Sequence, residues 1–257
     1  MTLRDTTRSV ISLVEQTTDR PVIVRADSSL KTLATVTIAR RGAPAHVVTY
    51  NPSASSPPDY LICFQAGFLL RLFANPPSER FDFAESAEGR RHVIAAVASQ
   101  PELRKQGLPA AVVQQYGDSL FDGLMTQLRS VPIGLRVDTW IAADLPDLAD
   151  LQKVYVIRQL QDNQQVLGPA VRRLASSPIY ESSVAMNAAF AAYWARAWTQ
   201  PSFEVPYTVT GASATGRALL RLWDIADADP HHDRSLVDAW ASHLGLTGWY
   251  QWVPYTP

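Results

Sequence analysis

The stretch Asp59-Tyr60-Leu61-Ile62-Cys63-Phe64-Gln65-Ala66-Gly67-Phe68-Leu69-Leu70-Arg71 constrains this chain more than any other. Apolar side chains recur all round a helical turn from Tyr60 to about Ala74. A short helix of that kind is placed inside a core rather than on a surface. Asp59 stands where a carboxylate can cap the first turn, and Asn75-Pro76-Pro77 stops the helix. Whatever surrounds this segment has to bury it.

The preceding residues supply partners. Leu3 to Gln16 has the spacing of a first helix, ended by Arg20-Pro21. Val22–Val24, the β-branched run Leu33–Ala39 and His46–Tyr50 read as three short strands, with a turn at Arg40–Pro44 and a Pro/Ser loop over Asn51–Pro58. Beyond Ala84 the pattern becomes helical. Helices are expected over Ser86–Ser99, Pro109–Leu128, Leu148–Val166, Pro178–Trp198, Ala214–Ile225 and Ser235–Leu244. Val131–Leu135 reads as a break at Pro132, and Pro201–Thr210 as irregular or extended. The aromatic tail Trp249–Tyr255 is expected to pack back on the body. The fold class is therefore α+β, mostly helical, with a small N-terminal β-sheet on a buried helix. It divides into an α/β part, 1–85, and a helical part, 86–257, packed as one body.

Composition narrows the function classes. The 257 residues are 47% hydrophobic and carry a net charge of −1, so no basic field recruits nucleic acid. The single cysteine, Cys63, forms no internal disulfide, which fits a reducing compartment. No 18-residue apolar run predicts a membrane span, and Met1–Asp5 begins no signal peptide. The expectation is a cytoplasmic protein. No phosphate loop, dinucleotide fingerprint or serine elbow is present.

Helix, strands and buried helix in this order resemble the ImmA/IrrE-type (gluzincin-like) zinc metallopeptidases over residues 3–75. The strand His46–Tyr50 with Asn51-Pro52 precedes the helix, as in that family. There the helix carries H-E-x-x-H. Two histidines one turn apart grip a zinc ion, and the glutamate takes the proton of its water. In this chain Phe64 and Phe68 occupy the two ligand positions and Gln65 that of the base. Phenylalanine has no lone pair to give, and an amide is not basic. The resemblance also implies a third ligand, a glutamate near an Ala-Asn pair followed by Phe-Ala. Glu181, ahead of Asn187, Phe190 and Ala191, is the nearest counterpart, with its spacing displaced by about one residue; it also suits a helix first turn.

The expectation is a pseudo-enzyme with no cofactor and no bound metal, acting through an unidentified protein or peptide partner. A peptide could add along a strand edge of its cleft. Two alternatives stay open: an enzyme using Gln65, Glu181, His46 and Arg71 in the same cleft, or a structural subunit with its Trp-rich tail at an interface. Minor constellations read as structural. Cys63 beside His46 is a buried thiol rather than a nucleophile, and His231-His232-Asp233 is a solvated pair with Asp229 or Asp233 capping the next helix.

Overall fold

A computed structural model describes residues 2–53 and 56–256. Within the expected 51–58 loop, residues 54 and 55 lie outside the described residues, as do the terminal residues 1 and 257. The chain begins α1 (Asp5–Thr18), β1 (Val22–Ala26), β2 (Ala34–Thr37), β3 (His46–Tyr50), α2 (Asp59–Ala74) and β4 (Phe81–Glu85). It continues through α3 (Ala87–Ala98), α4 (Pro101–Lys105), α5 (Ala110–Asp144), α6 (Ala149–Gln164) and α7 (Pro169–Leu174). It ends with α8 (Ser177–Ala197), α9 (Val205–Thr208), α10 (Ala212–Ile225), α11 (Asp233–Leu244) and β5 (Tyr250–Pro254). The fold is α+β and mostly helical.

The first sheet has the order β1-β3-β2, with β1 parallel and β2 antiparallel to the central β3. Its central strand is buried, and β2 forms one edge. The N-terminal core gathers Val10 and Val14 of α1, Leu61, Cys63 and Leu69 of α2, and Val137 and Ile141 of α5. A larger core joins α3, α5, α8, α10 and α11 around Trp194, Trp240 and Phe121.

Three elements depart from the expectations. First, α5 runs unbroken through Pro132 for 35 residues. Proline removes one helical hydrogen bond, but Leu128, Leu135, Val137 and Ile141 are buried on both sides of it. The Pro132 carbonyl is also taken up by the Trp223 indole N–H at 3.0 Å. Packing on both flanks outweighs the local break. Second, a two-stranded antiparallel sheet pairs β4 with the tail strand β5, Phe83 opposite Trp252. The tail aromatics are thus used internally: Tyr255 is buried and donates its hydroxyl to the Ala39 carbonyl. Third, the irregular segment from Pro201 holds a 3-10 turn, Pro201–Phe203, and the short helix α9.

Asp59 does not cap α2. Its Oδ1 accepts from the Arg4 backbone N–H and the Thr7 hydroxyl, both at 2.7 Å, and so ties the start of α1 to α2. Asp229 does cap a turn, accepting from the His231 N–H at 2.9 Å.

Candidate functional site

Helix α2 is not buried on every face. Tyr60, Ile62, Ala66 and Leu69 lie in the core, whereas Phe64, Gln65 and Phe68 are half-buried. Residues at i, i+4 and i+7 share a helix face, and here Phe64, Phe68 and Arg71 form one wall of a cleft of about 1050 Å³. The opposite walls come from Gln127, Arg129 and Gly134 of α5, Asn187 and Phe190 of α8, and Phe81, Phe83 and Trp252 of the β4–β5 ribbon. Gly134 lets the Phe64 ring lie close to α5: a Cβ there would stand 3.0 Å from the ring's far edge. Phe64 and Phe68 meet edge to face at 5.4 Å, which holds both rings against the wall.

One border of the cleft is β2. Its backbone orientation follows from the register. Leu33 accepts from the Asn51 N–H, so Leu33, Thr35 and Thr37 direct their backbone groups to β3. Ala34 and Val36 then direct theirs outward, where no strand among the described residues pairs with them. Only long contacts at 3.4 Å reach the Ala34 carbonyl, from Gln65 Nε2 and the Thr32 hydroxyl.

The polar lining is uneven. Arg71 is committed to Asp233 by two bonds of 2.7 and 2.8 Å, with a third to the Ala228 carbonyl. Burial raises the Asp233 pKa despite that partner. Gln127 Nε2 donates to Asn187 Oδ1 at 3.1 Å, which leaves Gln127 Oε1 and Asn187 Nδ2 unpartnered in the wall. At the floor, Asp138 is 1% exposed. One carboxylate oxygen accepts from the Tyr60 hydroxyl at 2.8 Å and from Gln152 Nε2 at 3.1 Å. Burial pushes this carboxyl up to about 7, while those two donors pull it down.

The structure therefore brings Phe64, Gln65, Phe68 and Arg71 to one cleft, but not the other two candidates. His46 does not line it. His46 is fully buried at the start of β3, its Nδ1 accepts from the Ala39 N–H at 3.0 Å, and its ring meets Phe73 edge to face. Burial lowers its pKa. Glu181 is exposed on α8 and bonds to Ser177, so it takes its place in the first turns of that helix rather than beside the two phenylalanines. Cys63 is buried, and burial raises its thiol to about 12, which leaves it unreactive. Among the described residues no group of three His, Cys, Asp or Glu side chains is placed to hold a metal ion. None of the helices there is long and apolar enough to cross a membrane.

Sequence reading missed Asp138, Arg129 and Gln127. Asp138 had a signal, being a carboxylate set among Leu135, Val137, Trp140 and Ile141; the other two sit on an amphipathic helix face that gives none. Comparison with family models, curated proteins and solved structures finds no match to this chain.

Proposed function

We propose that this chain acts by binding: its cleft takes up an extended segment of another polypeptide, which adds as a strand to the free edge of β2. The observation that carries this reading is the outward N–H and C=O groups of Ala34 and Val36 along the wall of an apolar cleft. An unpaired edge offers main-chain hydrogen bonds to any extended peptide, while flanking pockets choose its side chains. Phe64 and Phe68 supply such apolar contact area. On this reading the scaffold keeps the peptide groove of a gluzincin-like peptidase, with Phe64, Gln65 and Phe68 where a metal site would be. An enzyme built on Gln65, Glu181, His46 and Arg71 has less support, because His46 and Glu181 lie outside the cleft.

The test is selection of peptides from a random library displayed on phage, followed by affinity measurement against wild type and Val36→Pro. The Val36 N–H points away from β3, so proline there removes an edge donor without breaking the existing ladder. Selected peptides are expected to bind the variant at least tenfold more weakly, with the melting temperature little changed. Peptides that bind both proteins equally would exclude strand addition at β2.

A further inference from the structure

Among the cations that line the cleft, Arg129 has no carboxylate in ion-pair range among the described residues. Arg129, on α5, lines it, and solvent reaches the residue. Among the described residues no hydrogen bond or ion pair engages its guanidinium. The cleft walls nevertheless crowd it enough that desolvation lowers its pKa. The two carboxylates whose field reaches Arg129 are Asp82 and Glu85 of β4, and each is held by a different arginine. Arg40 pairs with Asp82 at 2.8 Å, and Arg90 pairs with Glu85. In the same cleft, Arg234 lies over the Phe81 ring at 3.8 Å and 5.8 Å from Trp252, and among the described residues no carboxylate lies in ion-pair range of it.

A guanidinium that lines a cleft and has no partner among the described residues leaves its donor fork free for a ligand. Guanidinium presents paired N–H donors that match a carboxylate, and such charge-assisted bonds are stronger than neutral ones. The nearby Asp82 and Glu85, neutralised but not removed, disfavour a dianion such as phosphate. Phe83 and Trp252, which line the same cleft, offer apolar cover for the carbon chain that bears the acid.

We propose that Arg129 is the receptor for a single carboxylate on the bound segment, so that the cleft selects acidic peptides. This rests on the strand-addition reading and adds the charge that the ligand carries. A glutamate or aspartate side chain and a free C-terminus present the same chemistry, and small probes separate them.

The experiment follows the Arg129 Nε–Hε resonance by NMR, assigned by its loss in Arg129→Gln, during titration with three compounds. N-acetyl-glutamate N-methylamide carries only a side-chain carboxylate, N-acetyl-glutamine carries only an α-carboxylate, and N-acetyl-glutamine N-methylamide carries none. At least one acid is expected to shift the resonance with an affinity about tenfold or more above the neutral compound. That preference should vanish in Arg129→Gln, whose fold is expected to be unchanged because the position is exposed. Which acid responds identifies the source of the carboxylate. Equal response to all three, no response to any, or a preference that survives in Arg129→Gln would overturn the assignment. The probes are too short to add as strands. A shift at Arg129 together with peptides indifferent to Val36→Pro would therefore leave this site standing while strand addition fails.

Discussion

Replacing Gly216 by alanine is expected to cost about 3 kcal/mol or more. A Cβ on Gly216 would stand 2.6 Å from the Ala188 Cβ and 2.8 Å from the backbone of Ala188 and Ala189. Backbone cannot yield as a flexible side chain does, so α10 would have to move off α8. That contact backs the segment of α8 that carries Asn187 and Phe190 to the cleft, so the wall would shift with it. The control is Gly123→Ala on α5, where nothing lies within 4 Å of the new Cβ. There helix propensity alone acts, and a gain of about 0.5–1 kcal/mol is expected. Urea unfolding of both variants decides the matter. A cost below about 1 kcal/mol for Gly216→Ala would mean that the two helices are not locked at this point.

The second large effect is a pH dependence that belongs to Asp138. Its carboxyl titrates near 7 in the fold and at about 3.9 in an unfolded chain. Between those values the folded protein keeps a proton that the unfolded chain has lost. Stability from this group is therefore fully present below about pH 4. It falls as pH rises through 7 and is level above that. The full difference is on the order of 4 kcal/mol as an upper limit. Asparagine has the shape of the neutral acid and does not titrate. Asp138→Asn should match wild type near pH 4 and exceed it at pH 8 by up to a few kcal/mol. Other carboxylates titrate in the same range, so the quantity to follow is the variant-minus-wild-type difference in unfolding free energy from pH 4 to 8. A flat difference would show that Asp138 is ionised in the fold.

Much of the N-terminal layout is legible in the sequence because its signals are local. β-Branched runs between turn residues mark the strands, and Asn75-Pro76-Pro77 ends α2 within a residue of the expected place. What is not legible is set by distant contacts. The chain from Ala110 to Asp144 looks broken at Pro132, yet it stays helical because buried residues on both sides outweigh one lost hydrogen bond. β4 is unconvincing alone, with Asp82 and Glu85 among its five residues. It becomes a strand only because the tail, about 170 positions later, pairs with it. Asp59 reads as a helix cap and is instead a tie to α1, since Arg4 and Thr7 offer it better-placed donors.

The site divides in the same way. The Phe64–Phe68–Arg71 face follows from helical periodicity once the helix is placed. Its exposure does not, because apolar residues all round a helix read as core, and only the tertiary arrangement shows which face lacks a covering layer. Glu181 rests on a family pattern whose spacing this chain keeps only to within about one residue, and His46 on its place in the strand ahead of α2. In the fold Glu181 faces solvent and His46 is sealed in the core at the start of β3.

The most direct measurement is amide hydrogen exchange at Ala34 and Val36, with and without a saturating peptide from the library selection. Strand addition at the β2 edge predicts that the Val36 amide, and with it Ala34, slows by tenfold or more on binding, while Thr35, already directed at β3, changes little. Exchange at Ala34 and Val36 that is unchanged by a saturating peptide would contradict the central claim.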